Sequence, residues 1–244
     1  MKLSKISALC FAATTLFAAS SAMAWESEDG AHSTSASVAL SSDYRFRGIS
    51  FSDNKPAISG SFDYAHTSGF YTGVWATSNS GDGEINIYGG YGNEFGESGV
   101  SYDVGVLRYI FPGASEFNNN EFYAGLGYSY FSLGYAFDPD WEGNDEAAHY
   151  FSVGFDYDLP AGFGFSASYG VTSFDSDLED IVGESSYSDY SISLSKSLVG
   201  FDWTLSYIGV DSDGEAVYSD PGSYGGLDDS STDDTLMFSV SKSF

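Results

Sequence analysis

The stretch TLMFSVSKSF, residues 235–244, decides how the rest of the chain is read. Its even positions hold Leu236, Phe238, Val240, Lys242 and Phe244, and its odd positions hold Thr235, Met237, Ser239, Ser241 and Ser243. Alternation with period two marks a strand with one apolar and one polar face. An amphipathic strand that ends on an aromatic residue, here carried by Phe238, Val240 and Phe244, has the form of the signal read by the barrel-insertion machinery of an outer membrane. Lys242 interrupts the apolar face, and near a membrane boundary a lysine can reach the headgroups along its own aliphatic stem. Taken alone, the stretch fits an edge strand of a soluble sandwich equally well.

The same alternation runs upstream. In residues 36–46, Ala36, Val38, Leu40, Tyr44 and Phe46 share one face with Ser42, while Ser37, Ala39, Ser41, Asp43 and Arg45 share the other. No helical stripe stands out. The pattern predicts twelve strands, near 35–48, 57–66, 69–77, 84–92, 100–111, 121–130, 132–138, 149–159, 163–174, 187–197, 201–210 and 233–244. Their connections alternate in length. Tight links at 66–69, near Phe131, at 160–162 and at 198–200, with a slightly longer one at 93–99, fall on one side. Long polar links at 49–56, 78–83, 112–120, 139–148, 175–186 and 211–232 fall on the other. Short turns at one end and long loops at the other are the layout of a transmembrane antiparallel β-barrel. The expectation is therefore an all-β outer-membrane barrel of about twelve strands, with short periplasmic turns and longer acidic extracellular loops.

The start of the chain reads differently. Residues 1–24, MKLSKISALCFAATTLFAASSAMA, have a basic start, an apolar middle and a small-residue end, and read as a signal peptide cleaved after Ala24. Cys10, the only cysteine, lies inside the apolar part after Leu9, where a lipoprotein site calls for a small residue. The expected mature protein is then a short periplasmic segment, 25–34, and one barrel domain, 35–244. Of the 8 basic residues, Lys2 and Lys5 fall in the signal and none of the 35 acids does, which leaves 6 against 35, a formal charge of −29. Nothing in that balance can neutralise phosphates, so nucleic acid is excluded as a partner. Such charge often signals disorder, but a chain that is 18% aromatic is built to pack. No segment after residue 24 approaches the ~18 apolar residues of a membrane helix.

The lumen is where a function would sit. In SSDYRFRGIS (41–50) the parity of strand one sends Tyr44 and Phe46 outward and Asp43, Arg45 and Arg47 inward. Enclosed arginines need acidic partners, and Asp63 on the next strand is the expected one. The inward sets of other strands add Asp103, Asp156, Asp158, Asp189 and Asp202. These charges serve equally as a salt-bridge network that stiffens the wall or as an eyelet that biases which solutes pass. Tyr71, Trp75, Tyr88, Tyr102, Tyr128, Tyr130, Tyr157, Tyr169, Tyr190, Trp203 and Tyr207 are candidates for the aromatic girdles at the membrane boundaries. The inward faces of the last strands carry Ser191, Ser193, Ser195, Ser197, Thr204, Ser206, Ser239, Ser241 and Ser243, which leave room for water.

Chemistry is sparsely supported. A strand of ~10 residues spans ~23 Å of membrane when tilted, so His66 at a short-turn end and His149 at a long-loop end cannot share a site. The acidic run 175–184 has Asp180 where a calcium loop requires glycine and is too short for the closing glutamate, and 211–215 has an Asp-x-Asp-Gly start with no matching end. No catalytic residue, cofactor or metal site is assigned. The segments SSDYRFRGIS, SDNKPAISGSFDYAH (52–66), GFYTGVWA (69–76) and DYSISLSKSLVGFD (189–202) resemble the Gcw_chp family of proteobacterial exported proteins. That resemblance extends over nearly all of the expected mature chain and implies a strand-rich outer-membrane protein of a Gram-negative bacterium; it implies no reaction. The leading expectation is a narrow, cation-preferring channel for passive passage of small solutes. A closed structural barrel whose acidic loops contact lipopolysaccharide or a partner is the alternative, and an outer-membrane hydrolase ranks last. The expected partners are outer-membrane lipids, lipopolysaccharide and, during biogenesis, the insertion machinery.

Overall fold

A computed structural model describes residues 25–220 and 222–244; the expected signal segment 1–24 lies outside the described residues. Twelve long strands form the wall: β1 (His32–Ser41), β2 (Ala57–His66), β3 (Phe70–Thr77), β4 (Glu84–Glu94), β5 (Val100–Ile110), β6 (Asn120–Tyr128), β7 (Phe131–Asp138), β8 (Ala148–Leu159), β9 (Phe163–Phe174), β10 (Ser186–Leu198), β11 (Phe201–Val210) and β12 (Thr235–Ser243). Each pairs antiparallel with its sequence neighbour, and β12 pairs with β1 (Val240 opposite Leu40), which closes the ring. Closure leaves the wall no free edge, the condition for strands in lipid, where an unpaired backbone amide has no partner.

Residue parity sets the two faces. Val38, Leu40, Phe62, Val74, Ile87, Leu126, Leu133, Val153, Leu205 and Phe238 are exposed on the outside, an apolar belt suited to hydrocarbon. Aromatic pairs ring its short-turn end: Phe95 lies 4.4 Å from Tyr102 and Tyr130 lies 5.2 Å from Tyr157, centroid to centroid. Both lysines of this rim cover rings. Lys196 Nζ sits 4.2 Å from the Phe163 centroid, and Lys242 Nζ sits 5.2 Å from Phe201 and 5.6 Å from Phe244. Lys242 thus combines cation–π contact with an interfacial position, which is how the apolar face of β12 tolerates it.

Three expected girdle residues point the other way. Phe70 and Val74 take the outer face of β3, so Tyr71 and Trp75 fall inside, and Tyr88 on β4 meets them there. Inward tyrosines need room against the wall, and for several of them glycine supplies it. A Cβ on Gly105 would stand 2.3 Å from the Tyr123 hydroxyl, and one on Gly90 would stand 2.4 Å from that of Tyr71. The opposite arc is lined by small hydroxyls on β10 to β12, as expected, and these continue onto β9. Ser193 and Ser206 hydroxyls are 2.7 Å apart, and those of Ser168 and Ser191 are 2.8 Å apart.

The wall differs from the expectation at its start. β1 begins at His32, and Trp25–Glu26 pairs onto it at Thr34 and Ser33, so part of the segment 25–34 belongs to the sheet. β1 also stops at Ser41. The chain then leaves the wall, and Tyr44 and Phe46 go inside instead of facing lipid. Two short helices interrupt the long loops, α1 (Ser176–Val182) and α2 (Ser212–Tyr218). Seven residues each are too few to display helical periodicity in a sequence. The stretch 211–232, expected as a solvated acidic loop, instead buries Val217 and Tyr218 of α2 against the barrel mouth.

Candidate functional site

The site is built by the segment that follows β1. The Ser42 amide donates to the Phe238 carbonyl at 2.8 Å, the last tie to the wall. A miniature hairpin then runs into the lumen, pairing Arg45 with Ser50 and Phe46 with Ile49. Its tip is Arg47-Gly48, with φ of +46° and +85°. Positive φ at both central residues is the type I′ turn, whose twist suits a two-residue hairpin. Gly48 is required twice over, because a Cβ there would also lie 2.4 Å from Val210.

The hairpin carries its own polar core. Asp43 accepts from Arg45 Nε, Ser50 Oγ and Ser52 Oγ, each at 2.7 Å. The Arg45 guanidinium also donates to the carbonyls of Gly48 and Asp233 at 2.9 and 2.8 Å and to Asn54 Oδ1 at 2.9 Å. Arg45 is 4% exposed, and these acceptors are what make a charge at that depth tolerable. Arg47 reaches across the lumen to a carboxylate oxygen of Glu121 on β6. Its guanidinium carbon lies 4.2 Å from the Tyr150 ring centre. Glu121 is 1% exposed, and its second oxygen accepts from the Tyr109 hydroxyl at 3.3 Å. Tyr44 donates to Glu84 at 2.8 Å and packs its ring 5.7 Å from Trp75.

Above this layer the long loops form an apolar cap. Leu178 and Val182 of α1, Val217 and Tyr218 of α2, and Trp141 of the 139–147 loop pack with Ile49, Phe174, Tyr187 and Val210. Trp141 stands 5.0 Å from Phe174 and 5.5 Å from Tyr224. Asp211 caps α2 by accepting from the Gly214 amide at 3.1 Å. Below the hairpin the lumen changes character: inward-facing Ser168 and Asp156 are exposed, so solvent enters from the short-turn end.

The structure separates the members of the expected charge cluster. Asp43, Arg45 and Arg47 do meet inside the barrel, on the hairpin and not on the wall. Asp63, expected to hold the arginines, is instead bound by Ser61 at 2.7 Å and by the Tyr88 hydroxyl, because the hairpin enters above its level. Asp103 accepts from Tyr71 at 2.8 Å, and Asp156 stands apart near the short-turn end of β8. The true partner of Arg47, Glu121, was readable as an inward position, since Glu121, Tyr123 and Gly125 alternate with exposed Phe122 and Leu126. At the C-terminus, Phe238 and Phe244 lie exposed on the outer face and Val240 is half-buried between them. Among the described residues no group of His, Cys, Asp and Glu is arranged to hold a metal ion.

A family profile described as "Bacterial protein of unknown function (Gcw_chp)" matches residues 26–244. The chain belongs to the Gcw_chp family. No curated protein matches this Gcw_chp member. Solved structures do share its architecture. The NanC porin superposes with a TM-score of 0.56 at 13% identity, covering 84% of this chain and 97% of that one. The KdgM porin gives 0.54 at 10% identity over 86% and 98%. KdgM in complex with disordered oligogalacturonate gives 0.50 at 9% identity over the same shares. At such identities the likeness concerns the fold, a closed twelve-stranded antiparallel barrel of the outer-membrane porin type.

Proposed function

We propose that this Gcw_chp protein is a porin-like outer-membrane channel that passes small solutes with a preference for cations. The observation that carries the proposal is the solvent-exposed inward face of the short-turn half, where serines and glycines line a twelve-stranded ring. Rings of this size stand between filled eight-stranded barrels and open sixteen-stranded ones, so inward side-chain size decides the bore. Acids dominate the charged inward positions of the wall, with Asp63, Asp103, Asp156 and Asp202 facing the lumen, while both lumen arginines are consumed by the hairpin and its wall partner. Oligogalacturonate, the ligand of one KdgM structure, is an anionic oligosaccharide. An acidic lumen favours solutes of the opposite sign.

The short turns, Trp25 and Phe244 lie on one rim, which we assign to the periplasm, with the acidic loops facing outward towards lipopolysaccharide. Phe238, Val240 and Phe244 are proposed as the strand signal taken up by the insertion machinery. The role is proposed as non-enzymatic: the His32 and His66 rings lie 4.8 Å apart and tilted at one end, and His149 pairs with Asp175 at the other. A closed structural or surface-interaction barrel is the second reading, favoured by the apolar cap over the long-loop mouth.

Planar-bilayer recording of the refolded mature protein under a salt gradient separates the two. Stable conductance steps with a reversal potential on the cation side, weakened in Asp63→Asn/Asp103→Asn, support the channel. A folded, heat-modifiable barrel without conductance transfers the assignment to the structural role.

A further inference from the structure

We infer that residues 43–52 are a displaceable plug and that the Arg47–Glu121 ion pair is its latch; the inference rests on the channel reading above. The barrel does not need this segment for its connectivity. Ser41 and Ala57 are direct partners across β1 and β2, so a two-residue turn would join them. The chain instead spends residues 42–56 on a hairpin that enters the lumen and fills its upper half.

The hairpin is internally complete. Its turn, its backbone pairing and the Asp43–Arg45–Ser50–Ser52 hydrogen bonds all lie within the segment, so it can move as one body without losing them. Two ties reach neighbouring loops, Arg45 to the Asp233 carbonyl at 2.8 Å and the Ser80 amide to the Phe51 carbonyl at 2.8 Å, and its ties to the strands of the wall run through side chains, Arg47 to Glu121 and Tyr44 to Glu84. Such ties have two discrete states, made or broken, which is what a gate requires. Residues 43–52 hold two arginines and one aspartate, a net positive body inside a lumen whose wall is acidic. Withdrawal would leave Glu84, Glu121 and Asp189 facing the bore without Arg47, so the opened channel is both wider and more cation-selective than the closed one. The latch is buried, so it is screened little by salt, and electrostatic force on the charged hairpin is the stimulus that fits it.

The test compares three proteins in planar bilayers: the mature chain, a variant with residues 42–56 replaced by Asn-Gly, and Glu121→Gln. Heat-modifiability on gels reports that each barrel is folded. The expected result is brief or small conductance in the parent, a severalfold larger and more cation-shifted conductance in the loop replacement, and more frequent opening in Glu121→Gln. If the folded loop replacement conducts no better than a conducting parent, the plug is overturned and the channel stands. If neither conducts, both readings fall. Should the loop replacement not fold, Glu121→Gln and Arg47→Met decide, and opening frequencies equal to the parent's overturn the latch.

Discussion

Glu121→Gln should destabilise the protein strongly for so small a change. The side chains of Arg47 and Glu121 are 3% and 1% exposed, so the substitution removes one charge from a pair that water does not reach. Breaking a buried pair from one side costs about 3–5 kcal/mol, because the remaining charge keeps its desolvation penalty and loses its compensation. Arg47 retains the Tyr150 ring at 4.2 Å, a contact worth up to ~2 kcal/mol for a desolvated cation. The expectation is therefore at the lower end, about 3 kcal/mol. Arg47→Met should cost a similar amount, since it strands Glu121 with only the Tyr109 hydroxyl at 3.3 Å. The double variant removes both charges and should return to within about 1 kcal/mol of the parent. Urea unfolding of the refolded protein in lipid vesicles gives all three values, and the double-mutant cycle isolates the coupling. The hairpin docks only onto a folded barrel, so its docking energy appears in that transition. A loss below about 1 kcal/mol for Glu121→Gln, or additive single losses, would refute the claim that this ion pair holds the hairpin in place.

Three further outcomes follow from other parts of the molecule. Burial, with the nearby Asp138 carboxylate, pushes Glu142 up to about 7 in the cap. Its unfolded value is lower, so the folded cap binds the extra proton, and its stability falls as pH rises from about 4.5 to about 7 and is level above; with partial solvent access the swing is about 2 kcal/mol. Melting followed by fluorescence of neighbouring Trp141 at pH 5 and pH 8 should show that drop, and Glu142→Gln should make it smaller. Gly105→Val would set a side chain against the Tyr123 hydroxyl and break its 2.7 Å contact with Tyr71, at a cost of about 1–3 kcal/mol in the same urea assay; an unchanged midpoint would show that the ring has other space. Deleting Phe244, which is exposed beside Lys242 on the short-turn rim, should lower the yield of heat-modifiable barrel in the outer membrane while the signal-processed chain accumulates in the periplasm.

How much of this was legible beforehand depended on whether a feature was local. Alternation in β12 and in the serine runs of β10 and β11 is a property of adjacent residues, because a pleated strand sends them to opposite faces wherever it sits. Strand number, the short and long ends and the small-residue arc could be read for that reason. The same rule failed where its two faces do not mean water and lipid. Tyr71 and Tyr88 look like girdle residues, yet strand parity places them in the lumen, where Gly90 and Gly73 on neighbouring strands give their rings room. Nothing in a single strand states how large an inward side chain may be.

The hairpin at 43–52 marks the limit most clearly. Adjacent residues alone show that Asp43, Arg45 and Arg47 alternate with Tyr44 and Phe46, and the alternation is real, since both halves of the hairpin are extended. It could not show that the extended run had left the wall, because Arg is an unusual occupant of a left-handed turn position and Gly48 alone was the signal. What places Arg47 there is its bond to Glu121, 74 residues away in the chain. A contact of that separation exists only once the ring has closed and brought β6 across from β1. The fold class was therefore written in local periodicity, whereas what fills the lumen, and which charge faces which, was decided by closure of the barrel.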